Sequence, residues 1–122
     1  MQKKILIVDD DHRNTFALSA VLKARGYQPV AVSNMKEAFS LLEREPEVGI
    51  ILMDMMMPDM DGYEAIPALR AKPAYQQLPI IAVTAQAMTG DREKCLAAGA
   101  NDYVSKPVDI TLLLDKLNRY LN

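Results

Sequence analysis

Five residues of this 122-residue chain have the types and positions to do chemistry together: Asp9, Asp10, Asp54, Thr84 and Lys106. The paired acids follow an apolar run at 5–8, Asp54 follows one at 50–53, Thr84 follows one at 80–83, and Lys106 comes directly after 102–105. Three carboxylates gathered at one place repel one another, and their pKa values rise unless a cation balances them. The donors are oxygens, with His12 the only nitrogen ligand nearby, so the set favours Mg²⁺ over zinc or copper. With Lys106 counted, two negative charges remain, which one Mg²⁺ cancels, leaving a neutral rim that can accept an incoming phosphoryl group. A carboxylate can attack phosphorus and form an acyl phosphate when Mg²⁺ and a lysine offset the transferred charge. Asp54 is the candidate nucleophile, because it stands alone at the end of the central run. Asp9-Asp10-Asp11 occupies the place where a dinucleotide fold carries its glycines, and these acids would repel a pyrophosphate.

These residues converge only if the chain brings the ends of its apolar runs to one edge. The runs at 5–8, 29–32, 50–53 and 80–83 read as strands, and 102–105 reads as a fifth. Between them lie segments of helical period. Leu18, Val21, Leu22 and Arg25 mark the first, which Gly26 stops. Asn34 and Glu37 form a variant capping box for the second, which ends near Pro46. The third covers about 62–70, the fourth runs from about Thr89 to a stop at Gly99, and Asp109 caps the fifth, with Leu113, Leu114, Leu117 and Leu121 on one stripe. Five strands alternating with five helices make an α/β fold, with right-handed crossovers covering both faces of a parallel sheet. Ligands of such sheets bind beyond the carboxyl ends of the strands, where the five residues fall.

Composition narrows the function. Fourteen Lys and Arg against sixteen Asp and Glu give a net charge of −2, without the basic footprint that direct nucleic-acid binding needs. One cysteine, Cys95, cannot form an internal disulfide, consistent with a reducing, cytoplasmic setting. The run behind Lys3 and Lys4 is too short for a signal peptide or a membrane span. Residues 1–122 are expected to form one domain, with no effector domain on the chain, so that any output passes through a partner.

The acidic pair after Ile7-Val8, the stretch Met53-Asp54-Met55-Met56-Met57-Pro58-Asp59-Met60-Asp61-Gly62, Thr84-Ala85 and Tyr103-Val104-Ser105-Lys106-Pro107 occur together and in order. Over residues 4–121 the chain resembles the receiver domains of two-component response regulators. The resemblance implies a flavodoxin-like, doubly wound sheet of order 2-1-3-4-5 with five helices. It implies that Asp54 takes a phosphoryl group from a phosphohistidine on a sensor histidine kinase or histidine phosphotransfer protein. Asp10, Asp54 and the backbone carbonyl of Met56 would ligate Mg²⁺, with Asp9 acting through water. Lys106 would pair with Asp54 and then with the phosphoryl group, the Lys106-Pro107 bond would be cis, and Thr84 and Tyr103 would form the switch. The last helix-strand-helix surface would then address a downstream protein, and the resemblance allows a phosphorylation-dependent homodimer. Residues 84–93 resemble receivers attached to hybrid histidine kinases, whereas the Met1 start suits a stand-alone regulator.

Plainer roles compete at several positions. An Asp after a strand usually caps a helix, and Asp11 is expected as a first-turn acid. Asp59-Met60-Asp61-Gly62 reads as a turn and cap, since a calcium loop would need acids at Met57 and Ala68. The methionines around Asp54 suit adaptable packing, His12 a solvent-facing helix start, and Cys95 either packing or a chance surface thiol. Met56 cannot orient water towards an acyl phosphate, and Gln86 is the other residue at the matching place. Pro67 falls inside the third helix and costs it one hydrogen bond. The enzymatic alternative is a Mg²⁺-dependent phosphohydrolase working through an aspartyl phosphate, but that chemistry calls for a second acid where Met56 stands.

Overall fold

Alternation of buried side chains along each strand builds two apolar layers, one on either face of a single sheet. The computed structural model describes residues 4–85 and 90–121. In chain order the elements are β1 (Lys4–Val8), α1 (His12–Ala24), β2 (Gln28–Val32), α2 (Met35–Arg44), β3 (Val48–Asp54), α3 (Gly62–Arg70), β4 (Ile80–Thr84), α4 (Asp91–Ala98), β5 (Asp102–Ser105) and α5 (Ile110–Leu121). All neighbouring strands are parallel and their order is β2-β1-β3-β4-β5, the flavodoxin-like topology expected. Ile5 and Ile7 of β1 point to one face, where Leu18 and Leu22 of α1 meet Leu113 and Leu117 of α5. Leu6 and Val8 point to the other, against Ala38 and Leu41 of α2 and Ile66 and Leu69 of α3. Continuous apolar strands of this kind can sit only in a sheet covered on both sides.

Local chemistry sets the helix ends. Asp11 accepts hydrogen bonds from the N–H groups of Arg13 and Asn14, which makes it the cap of α1 rather than a first-turn acid. The Asn34 side chain caps α2 at Glu37 N–H, and Glu37 reaches back to Ser33, one residue earlier than a standard capping box. Asp61 caps α3 through Glu64 N–H, and Asp109 caps α5 through Leu112 N–H. The helix α3 continues through Pro67, which lies on its exposed side. The structure also departs from expectation at three boundaries. Strand β3 begins at Val48, two residues early, α2 stops at Arg44, and a short 3₁₀ turn at Pro73–Tyr75 intervenes before β4. The expected start of α4 near Thr89 lies outside the described residues, as do Gln86 and the centre of the hybrid-kinase-like stretch.

One side chain ties the amino-terminal edge of the sheet together. The Arg70 guanidinium, at the end of α3, donates to the carbonyls of Gly99, Tyr75 and Leu78 and to Asn101 Oδ1. Asn101 Oδ1 in turn accepts from Ile80 N–H, the first residue of β4. Five planar donors in a fixed fork allow one arginine to serve carbonyls from several segments, which a lysine cannot do.

Candidate functional site

Parallel pairing of β1, β3, β4 and β5 carries the ends of these strands to one rim. Asp9 N–H donates to Val32 O, Met55 N–H to Val83 O, and Lys106 N–H to Thr84 O, so the chain just beyond each strand is still anchored to its neighbour. Carboxylate oxygens from Asp9, Asp10 and Asp54 consequently lie within 4.8 Å of one another. Asp9 and Asp54 are each only 4 % exposed, whereas Asp10 is open to solvent. The Lys106 ammonium stands 3.2 Å from Asp9 Oδ2 and 3.7 Å from Asp54 Oδ2. It therefore bridges both acids and lies nearer Asp9, where the sequence pointed to Asp54 alone. The Lys106-Pro107 bond is cis, as expected.

Hydrogen bonds hold the carboxylates in place. Asp54 Oδ1 accepts from Met56 N–H at 3.0 Å. Asp9 Oδ1 accepts from Asp11 N–H, and Asp9 Oδ2 accepts from the Asn14 amide, both at 2.8 Å. Sequence reasoning missed Asn14. Its only signal is a place five residues beyond Asp9, on the first turn of a helix that begins at the same rim. Burial pushes the Asp54 carboxyl above its ordinary range; Met56 N–H opposes this, Asp9 adds to it, and Lys106 offsets part. Burial alone would lower Lys106, but the charges of Asp9 and Asp54 raise it. The Asp54 shift comes first from burial and only then from Asp9, whereas the Lys106 shift comes from the two acids; three carboxylates beside one lysine fit a divalent cation. The donors are all oxygen, the hard-ligand chemistry that suits Mg²⁺.

Around this cluster the other expected residues take distinct positions. Thr84 closes β4 and is fully buried. Tyr103 is half-buried on β5 and packs against the layer that contains α2 and α3, while Val104 points to the α5 side. His12 begins α1, is exposed, and joins no metal-type group among the described residues. Cys95 is buried on α4 with Tyr63 Oη 3.9 Å from its sulfur, which settles it as a packing residue. Gly62 has no room for a side chain, because a Cβ there would lie 2.9 Å from Met55 Cα, immediately after Asp54. From Asp10 a groove of about 660 Å³ runs towards α2, floored by Met35, Phe39, Met57 and Met60.

Comparison with known proteins agrees with this geometry. Residues 5–118 match the family model described as the response regulator receiver domain. The chain is 42 % identical over 120 residues to an uncharacterised 14.6 kDa protein of Leptolyngbya boryana, covering 98 % of this chain and 90 % of that protein. It is 34 % identical to the polar-differentiation response regulator DivK of Brucella anthropi, covering 99 % and 98 %. Among solved structures it resembles the receiver domain of the sensor histidine kinase PA1611 of Pseudomonas aeruginosa, which has a magnesium ion coordinated in its active site cleft. That likeness has a TM-score of 0.88 and 39 % identity, covering 99 % of this chain and 98 % of the other.

Proposed function

The chain belongs to the response regulator receiver domain family, and on that basis we propose that it is a phosphoacceptor whose Asp54 takes a phosphoryl group from a phosphohistidine of a sensor histidine kinase or histidine phosphotransfer protein. One observation carries the reading: a buried carboxylate of raised pKa is held beside a second buried acid and a lysine, at the end of the central strand. An oxygen of Asp54 bonds to phosphorus as the P–N bond of the donor breaks, and the imidazole keeps the electron pair and takes a proton from solvent. Asp10, Asp54 and the backbone carbonyl of Met56 are the residues to hold Mg²⁺, with Asp9 acting through water. Bound there, Mg²⁺ supplies the positive charge that offsets the oxygens of the transferred group.

Lys106 passes from its carboxylate partners to a phosphoryl oxygen. The Thr84 hydroxyl donates to another, and Tyr103 turns inwards as Thr84 moves, which alters the surface of α4, β5 and α5. A downstream protein reads that surface, and homodimerisation on phosphorylation is a second outlet. Residues 1–122 act as one receiver domain in the cytoplasm, without nucleic-acid contacts. No helix among the described residues is long and apolar enough to cross a membrane. The domain is no turnover enzyme, because Met56 supplies no second acid for repeated hydrolysis. Incubation with acetyl phosphate and Mg²⁺ followed by intact mass measurement tests the proposal. One added phosphoryl group is expected, dependent on Mg²⁺ and missing from Asp54→Ala; an undiminished shift in that variant would refute it.

A further inference from the structure

Eight methionines lie in this chain, five of them between residues 53 and 60. The fold sorts these five into two classes. Met53, Met55 and Met57 are buried, whereas Met56 is 47 % exposed and Met60 36 % exposed. Met56 is also the residue whose backbone N–H is bound to Asp54 Oδ1. An exposed methionine therefore follows the buried carboxylate by two residues, on a backbone anchored to it. The single cysteine offers no competing sulfur, because Cys95 is fully buried and burial pushes its thiol up.

We propose that Met56 is a redox modification site, and that its oxidation to the sulfoxide shortens the life of the phosphoryl group on Asp54. The inference rests on Asp54 being the phosphoacceptor. The oxidant is a peroxide. The sulfur lone pair attacks one peroxide oxygen, the O–O bond breaks as the S–O bond forms, and water leaves after proton transfer. Sulfur loses two electrons and the peroxide gains them. A thioether is a weak acceptor that leaves nearby water unordered, whereas the sulfoxide oxygen is a strong acceptor. Water bound to it beside Asp54 is held where it can attack the acyl phosphate. Met60 lines the groove that begins at Asp10, six residues along from Asp54, and serves as the comparison. Sulfoxide reductases reverse the modification, so the switch can reset.

The test treats the full chain with hydrogen peroxide, maps sulfoxides by peptide mass spectrometry, and charges Asp54 with acetyl phosphate and Mg²⁺. Loss of the phosphoryl group is then followed after the donor is removed. Met56 is expected to oxidise first and Met60 later, with Met53, Met55 and Met57 spared. The half-life of the phosphoryl group should fall about threefold to tenfold, the effect of one net hydrogen bond on a barrier. A methionine sulfoxide reductase should restore it, Met60→Leu should keep the response to peroxide, and Met56→Leu should lose it. Oxidation of the buried methionines at the same rate, an unchanged half-life, or a response that persists in Met56→Leu would overturn the inference. Failure of untreated protein to label Asp54 would overturn the phosphoacceptor reading itself, and this inference with it.

Discussion

The Lys106 ammonium lies 3.2 Å from Asp9 Oδ2, closer than it lies to the carboxylate at the end of the central strand. Asp9 is thus held from two sides, since the same oxygen accepts the Asn14 amide. The proposed nucleophile keeps one oxygen bound to Met56 N–H and shares its lysine at longer range. Asp9 then serves as the resting partner of Lys106, which leaves Asp54 the less encumbered of the two buried acids.

Removing the amide should loosen that arrangement. Asn14→Ala takes away the side chain that orients Asp9 and creates no cavity in the core, because Asn14 is half-buried at the rim. Groups that orient a metal's carboxylate typically account for tenfold or more in affinity, so Mg²⁺ should bind about tenfold more weakly by calorimetric titration. An unchanged dissociation constant would dismiss Asn14 as a positioning residue.

Asp54 should cost the metal-free protein stability at neutral pH. Its folded pKa lies above the unfolded value near 3.8, so the protein loses stability as pH rises from that value through the folded pKa. In EDTA at about pH 7, Asp54→Asn should melt higher, by about 1 kcal/mol or roughly 4 °C. The advantage should vanish near pH 3, where the wild-type acid is protonated in both states. Mg²⁺ at a hundred times its dissociation constant should add about 2.7 kcal/mol to the wild type and reverse the order. Thermal melts at the two pH values, with and without Mg²⁺, check all three statements.

Asp102 behaves in the opposite sense. Burial alone would raise it, but the Lys116 ammonium at 2.9 Å, Tyr103 N–H and the Tyr120 hydroxyl outweigh burial and leave it lowered. A lowered acid stabilises above its unfolded pKa, and that stability disappears as pH falls through the folded pKa. Asp102→Ala should cost about 2 kcal/mol at neutral pH in urea denaturation. The gap from wild type should narrow below about pH 3, and a constant gap across pH would show that packing rather than charge is responsible.

Gly62→Ala should damage both stability and the site. The new Cβ would meet Met55 Sδ at 2.2 Å and the Met55 backbone at 2.9 Å, so the segment after Asp54 must shift. Overpacking of this kind costs about 1–3 kcal/mol. Acetyl phosphate labelling should also slow, and a variant that is destabilised yet labels at the wild-type rate would separate fold from site.

Much of the architecture was legible because it rests on local pattern. Unbroken apolar runs place β1 and β4, and a capping residue places α5, almost to the residue. Gly49 hid the start of β3, where the register with β1 shifts by one residue and interrupts the apolar run. The rim acids were readable because they stand at the end of a strand or within two residues of it. Asn14 and Arg70 were not, since their partners depend on three-dimensional placement and polar contacts over such spans carry no period. The division of the methionines into sheltered and open was equally silent, because adjacent residues in a turn point in different directions.

Arg70 and Asn101 fasten α3, β4 and the start of β5 at the edge of the sheet opposite the acids. The two ends of β4 and β5 are therefore held by different means, by side chains of Arg70 and Asn101 at the starting edge and by the backbone bond from Lys106 N–H to Thr84 O at the rim.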